Sequence, residues 1–271
     1  MIKEYANGND FYEENRDFLL SDKYSEPFFR FDSPLLTQTG KDQYALKVSE
    51  GGSMLLALLV DPYNIQLSGD ASLAEELVGF LTANGYRIKD YQCSLELGEK
   101  LMECFKREGY VFHLKLGMDF MEAKEKTSEP SEPVEFATDD DVDELYEIIC
   151  NFIRDCGLND IARKERIREK LDTYRVLRRD GRIASVAKVH DWTDTDSKIT
   201  TVYTRDEYRN RGLARIVVGN ALNEIIDSGK TAVLNVERKN TISYHLYSSL
   251  GFGRIFSQGV FALNNSNYTV E

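Results

Sequence analysis

The stretch Thr200-Thr-Val-Tyr-Thr-Arg-Asp-Glu-Tyr-Arg-Asn-Arg-Gly-Leu-Ala-Arg215 decides how the chain is read. β-Branched and aromatic residues from Ile199 to Thr204 read as a strand, and a short loop then leads to a helix opening at Gly212 between arginines. The first N–H groups of a helix have no intrahelical partner and carry the positive end of its dipole. Gly212 lets the backbone approach a bulky anion closely, and Ala214 is small enough not to obstruct it. Such a turn suits a pyrophosphate. The glycine spacing is neither GxGxxG nor GxxxxGKS/T, which excludes the Rossmann and P-loop readings. Taken alone, RxxGxA also describes an ordinary basic helix start.

A second constellation lies downstream. Leu234-Asn-Val-Glu-Arg-Lys-Asn240 ends a strand, and Ser243-Tyr-His-Leu-Tyr-Ser-Ser-Leu-Gly-Phe252 is a helix closed by glycine. Asn240 sits where its amide can cap that helix, and Tyr247 lies two turns further along the same face. A plain cap and a half-buried core tyrosine are the ordinary alternatives.

Around these stretches the second half alternates strands and helices. Val134–Ala137 reads as a short strand, and Asp139, Asp140 and Asp141 cap a helix carrying Val142, Leu145, Ile148, Ile149 and Phe152. A charged helix follows over about 162–172. Tyr174–Arg178 and Ile183–Asp191 form a hairpin through Asp180-Gly181. Gly212–Asp227 is a helix, Ala232–Glu237 a strand, Thr241–Leu250 a helix and Arg254–Leu263 closing strand material. The expected fold class is α/β (α+β), a mixed central sheet flanked by helices.

The two stretches, in this order and spacing, resemble the GNAT superfamily of acyl-CoA-dependent N-acetyltransferases. The family's Q/R-x-x-G-x-G/A pattern is matched by Arg209, Gly212 and Ala214, and its later N-(x)6-Y…GF pattern by Asn240, Tyr247, Gly251 and Phe252. The resemblance covers residues 134–263. It implies that backbone N–H groups through Asn210, Arg211, Gly212, Leu213, Ala214 and Arg215 cradle the pyrophosphate of acetyl-CoA. It also implies that the strand Val202, Tyr203, Thr204 pairs with the pantetheine arm and polarises the thioester carbonyl. By the same resemblance Asn240 binds the coenzyme and Tyr247 protonates the departing thiolate. The acceptor, a small-molecule or peptide amine, attacks directly in a ternary complex. Many members carry a glutamate base where this chain has Asn235, which cannot accept a proton at neutral pH. Glu237 faces the same side of the strand and is a substitute base or a surface carboxylate; a water relay or a neutral amine would need neither.

The first half is harder to read. A helical start is followed by a hairpin, Tyr44–Val48 and Ser53–Val60, around Gly51-Gly52. Helices follow at Leu73–Asn84 and Leu95–Glu108 with a strand between them, then a strand at Tyr110–Leu116. This order resembles a degenerate GNAT-like half without RxxGxG/A, as in the family's tandem members. The expected organisation is an auxiliary domain over 1–121, a Pro- and charge-rich linker over 122–133 and a catalytic domain over 134–271.

Composition bounds the alternatives. The 271 residues carry 34 basic and 46 acidic side chains, a net charge of −12. Residues 1–133 hold −10 of this and residues 134–271 only −2. That balance argues against a nucleic-acid partner, which needs a basic face. The longest apolar run, Met54–Val60, is far too short to span a membrane. No leader is expected at the N-terminus, and Cys93, Cys104, Cys150 and Cys156 lack metal or disulfide spacing, so a cytoplasmic, metal-free protein with reduced thiols is expected. His113, His190 and His245 form no triad. Asp191, Asp194 and Asp196 crowd one loop, either as a solvated turn or as a lure for an amine cation. Besides the enzyme, two other readings stand: a non-catalytic acyl-CoA-binding or regulatory module, and a first half that serves protein interaction.

Overall fold

The computed structural model describes residues 1–22, 25–128, 132–157 and 161–264. The chain forms two compact units. The first comprises Met1–Phe120, Glu237–Lys239 and the segment beginning at Phe256; the second comprises Met121–Val236 and Asn240–Ile255.

In the first unit the order is β1 (Ile2–Glu4), α1 (Gly8–Ser21), α2 (Glu26–Asp32), β2 (Tyr44–Glu50), β3 (Ser53–Leu59), β4 (Ile65–Gly69), α3 (Ala74–Ala83), β5 (Tyr91–Ser94), α4 (Leu95–Arg107) and β6 (Phe112–Ala123), whose residues through Phe120 belong to this unit. The expected hairpin is β2–β3, paired from Tyr44↔Leu59 to Glu50↔Ser53. Gly51 and Gly52 turn it with φ of 56° and 97°, the left-handed values that match a hairpin's twist. The apolar run in β3 is buried on both faces, and period-two alternation sorts it. Leu55, Ala57 and Leu59 join the cluster containing α3 and α4, whereas Leu56 and Leu58 join Phe11, Leu19 and Phe29 of α1 and α2.

The second unit repeats the plan with β7 (Glu135–Phe136), α5 (Val142–Asp155), α6 (Lys164–Arg168), β8 (Tyr174–Arg179), β9 (Arg182–Asp191), β10 (Asp196–Thr204), α7 (Leu213–Asp227), β11 (Thr231–Glu237) and α8 (Thr241–Ser249). The β8–β9 turn again has two left-handed residues, Asp180 at 51° and Gly181 at 77°. One apolar cluster joins α7 and α8 to the sheet through Ala184, Ala187, Ile199 and Leu234. On the opposite face Leu145 and Ile148 of α5 pack with Tyr174, Val176, Val186 and Tyr203. Strand pairing is mixed in each unit: β4–β5 and β10–β11 are parallel, whereas β3–β4 and β9–β10 are antiparallel. The expected fold class and the repeated first half are therefore both present.

Three features depart from the sequence reading. Strands β1 and β4 escape it, being three and five residues long and, in β4, interrupted by Gln66 and Ser68. The charged helix expected over about 162–172 is only Lys164–Arg168, followed by a single 3-10 turn at Leu171–Thr173. The stretch around the prolines is tied down where it is described: Thr127 N–H donates to Asn223 Oδ1 at 2.9 Å, and Asn220 Nδ2 donates to Glu132 O at 2.9 Å.

The last strand, β12 (Gly253–Leu263), serves the first unit from Phe256 onward. It pairs antiparallel with β5 from Gln258↔Ser94 to Phe261↔Tyr91, and Phe261 stacks on Tyr91 with centroids 4.9 Å apart. Gly98 makes room for that ring, since a Cβ there would lie 2.0 Å from Phe261 Cε2.

Candidate active site

The residues read as a coenzyme site lie on β10, the loop after it, α7, and α8 with its cap, all in the second unit. Strand β10 pairs with β9 as Thr200↔Lys188 and then as Tyr203↔Val186, so two residues of β10 oppose one of β9. Thr201 absorbs this bulge with φ of 48°, an unfavourable value for a β-branched side chain. The bulge separates its neighbours: Val202 packs toward the α7 cluster, while Tyr203 is buried in the α5 cluster. On its other edge β10 pairs with β11 only from Asp196↔Thr231 to Lys198↔Val233. The backbone of Ile199–Thr204 is thus released from β11 before the strand ends.

The loop beyond is braced from several sides. Arg205 is buried, and its guanidinium donates to Ile183 O at 2.9 Å, Glu144 Oε1 at 3.0 Å and Glu147 Oε1 at 3.0 Å. Arg209 donates through Nε to Thr204 O at 3.1 Å and pairs through Nη2 with Asp155 and Asp206 at 3.2 and 2.8 Å. Tyr203 OH also reaches Asp155, at 3.4 Å, while Ser185 Oγ lies 2.8 Å from Thr204 Oγ1. Asp155, Ser185 and the carboxylates on Arg205 escape the sequence reading, because each lies 19 or more residues from its partner and belongs to no motif.

Helix α7 then begins without a side-chain cap. Gly212 is its N-cap with φ of 76°, and a Cβ built there meets nothing within 4 Å. The backbone N–H groups from Asn210 to Arg215 have no acceptor among the described residues, and no carboxylate occupies the first turn. Asn210 also has a left-handed φ, 61°. Arg211 lies over the Tyr208 ring at 5.6 Å, and Arg215 donates to Ser249 Oγ, linking the start of α7 to the end of α8. A row of unanswered donors facing open space, with Arg209 and Arg211 exposed alongside, is the geometry that accepts a bulky anion.

Asn240 caps α8, accepting from Ser243 N–H at 3.0 Å, which leaves its Nδ2 without a partner among the described residues. Tyr247 is buried beside Phe252. Burial, aided by the Cys156 thiol, pushes its hydroxyl up to about 12, so it holds its proton throughout the neutral range. Leu213 anchors α7 in the core, and Ala214 follows on the first turn. Glu237 ends β11 and groups with the first unit, whereas Tyr247 and Gly212 belong to the second.

The remaining candidates have other partners. His113 Nδ1 lies 2.6 Å from Asn264 Oδ1, and His245 is exposed. Asp191 pairs with Lys230 at 2.7 Å, and Asp196 is buried, accepting from Thr193 and Thr195 to close the turn. No grouping of histidine, cysteine and carboxylate that could hold a metal occurs among the described residues. No helix of the described residues is long and apolar enough to cross a membrane.

Residues 181–261 match the family model described as FR47-like protein. Solved structures match almost end to end. A GCN5-related N-acetyltransferase from Sphaerobacter thermophilus superposes with a TM-score of 0.67 at 13% identity, covering 97% of this chain and 95% of that one. A GNAT-family acetyltransferase from Colwellia psychrerythraea gives 0.65 at 10% identity, over 97% and 98%. A tandem GNAT protein from the clavulanic acid biosynthesis pathway gives 0.55 at 12% identity, over 100% and 99%. At such identities the likeness is one of fold. No curated protein sequence matches the chain.

Proposed function

We propose that this chain, which has the fold of GNAT acetyltransferases and matches the FR47-like family model over residues 181–261, transfers an acetyl group from acetyl-CoA to a primary amine. The observation that carries the reading is the bare N-terminus of α7 beside the bulged β10. The residues present fit the coenzyme: N–H groups from Asn210 to Arg215 lack acceptors, and the space over Gly212 is open.

In this reading those N–H groups and the nearby arginines hold the pyrophosphate. The released backbone of Val202–Thr204 pairs with the pantetheine arm and directs an N–H at the thioester carbonyl, where negative charge develops as the amine attacks. The C–N bond forms, the C–S bond breaks, and Tyr247 supplies the proton that the sulfur takes. A hydroxyl raised to about 12 keeps its proton in place through the neutral range, though the same shift makes it a weaker acid. Asn240 contributes its free amide N–H to the coenzyme. The attacking amine arrives neutral, and the proton its nitrogen sheds as the C–N bond forms goes to water or to Glu237, since Asn235 stands where the family's base would be; a proton from solvent restores Tyr247.

The test is calorimetric titration with acetyl-CoA, followed by thiol release across a panel of amines. Binding in the wild type, lost in Gly212→Glu, is the expected result; wild-type protein that does not bind acetyl-CoA overturns the reading. Asn235 favours a second reading, an acyl-CoA-binding module without turnover. Binding with no thiol release from any amine is the outcome that selects it.

A further inference from the structure

A cavity of about 380 Å³ opens in the second unit beneath α6, and Thr201 of the bulge lines it. Its floor is apolar, built from Ile149 and Ile153 of α5 with Ile167 and Tyr174. Its rim is not. Arg163, Arg166, Lys170 and Lys188 contribute to the lining, opposed by one carboxylate there, Glu169. The size falls in the range of small-molecule sites.

The charge is unusual for this molecule. The chain as a whole is at −12, and the other basic side chains of α6 are neutralised: Lys164 pairs with Asp143 at 2.7 Å and Arg168 with Asp139 at 3.2 Å. The side chains of Arg163, Arg166 and Lys170 form no ion pair or hydrogen bond with any described residue. All three line the cavity, whereas Lys164 and Arg168 do not. The paired cations and the unpaired ones are therefore sorted, and the unpaired ones are the cavity's.

The sheet beneath extends the positive field. Lys188 stands opposite Thr200 in the β9–β10 register and lies 5.2 Å from the Tyr174 ring. His190, two residues on, stands opposite the buried Lys198. Burial, together with Lys198, Lys188 and Lys170, lowers the His190 imidazole to about 4 despite the neighbouring Asp191. Its Nδ1 is buried and has no hydrogen-bond partner among the described residues. A protonatable ring two residues along β9 from Lys188 is thus held neutral, as expected where positive charge already accumulates.

We propose that this cavity is the acceptor site and that the acceptor is a small amine bearing an anionic group, a carboxylate or a phosphate. The proposal rests on the acetyl-transfer reading, because it is Thr201 at the bulge that joins the cavity to the place assigned to the thioester. The anion lies among Arg163, Arg166, Lys170 and Lys188, and the amine points toward the bulge. A polycationic acceptor meets repulsion in the same cavity.

The test uses matched amines with the full-length protein saturated with acetyl-CoA: phosphoethanolamine against ethanolamine, and β-alanine against its amide. Thiol release gives kcat/KM, and calorimetric titration of the same amines into coenzyme A-saturated protein gives binding where turnover is slow. The expected result is a preference of about tenfold or more for the anionic member of at least one pair, the gain typical of a charge-assisted contact. The pair that responds tells phosphate from carboxylate. Arg166→Glu and Lys170→Glu, both exposed, should each remove that preference while acetyl-CoA binds as in the wild type. Equal or better use of the neutral amines in both assays overturns the proposal, as does a preference unmoved by the charge reversals. Failure of acetyl-CoA to bind the wild type sinks the transfer reading instead. Titrating the same pairs into coenzyme-free protein then still decides whether the cavity selects anions.

Discussion

Helix α3 of the first unit and helix α7 of the second follow equivalent strands in equivalent order, yet their N-termini are treated oppositely. Ahead of α3, Asp70 accepts from Ser72 N–H at 2.8 Å and from Ser53 Oγ at 2.6 Å, and Glu75 and Glu76 fill the first turn. Carboxylates of the chain itself thus occupy the place an anionic ligand would take. Ahead of α7 stand Gly212 and arginines. The preceding strands differ as well: β4 pairs with β3 in unbroken register from Leu55↔Gly69 to Leu58↔Gln66, while β10 bulges at Thr201.

The next helices sharpen the contrast. Ser94 caps α4 through Leu97 N–H, as Asn240 caps α8 through Ser243 N–H, so the two can be aligned from their caps. Seven residues beyond each cap stand Leu101, wholly buried in the first core, and Tyr247. The repeated scaffold needs hairpins, caps and two-faced strands. A bare helix end, a bulge and a hydroxyl are added in only one copy.

The largest expected effect comes from converting the second unit to the first at that hydroxyl. Tyr247→Phe should lower kcat by about 10²–10⁴ with acetyl-CoA affinity retained, measured by thiol release and calorimetry. Full turnover in that variant removes the general acid. Next, Gly212→Glu should weaken acetyl-CoA binding by about 100-fold, from a carboxylate placed at the anion's position and a left-handed φ that resists a side chain. Gly212→Asn keeps the conformation accessible without the charge, so it should lose much less; equal losses would trace the defect to the backbone.

Acid should separate the units next. Burial raises the Asp32 carboxyl in the first unit to about 6, above its ordinary 3.8, so its stabilising contribution is present at low pH and lost as pH rises through about 6. His190 in the second is lowered from 6.5 to about 4, so its contribution is present above about 6.5 and lost as pH falls toward about 4. Melting midpoints from pH 7 to 4 should therefore move oppositely in the variants. Relative to wild type, Asp32→Asn gains most at pH 7, and His190→Gln loses less on acidification. The smallest effect is the cap: Asp70→Ala should cost about 1 kcal/mol of stability and leave acetyl-CoA binding unchanged. A new coenzyme site in that variant would mean that the cap alone closes the first unit.

Legibility in the sequence followed the strength of local signals. Asp180-Gly181, Gly51-Gly52 and the apolar faces of α5 and α7 announce themselves, because turn chemistry and helical period are written in neighbouring residues. The bare start of α7 was legible for the same reason. Thr201 carries no such mark, since a threonine in a left-handed conformation is imposed by β9 and not by its own preference. The brace from Asp155 to Arg209 and Tyr203 depends on where α5 ends in space. Arg163, Arg166 and Lys170 read as part of a charged helix; only the cavity beside them distinguishes them from Lys164 and Arg168.

The strand that closes the first unit has a consequence for how the chain is made. Residues 258–261, which cover β5, leave the ribosome only after every helix of the second unit has been translated. Until then the nascent first unit presents the β5 edge and an empty place where Phe261 will stack on Tyr91. An uncovered edge is a template for stray pairing, so the interval between synthesis of Ser94 and of Gln258 is the period of greatest exposure to aggregation and chaperones. The second unit is synthesised while its predecessor is still one strand short.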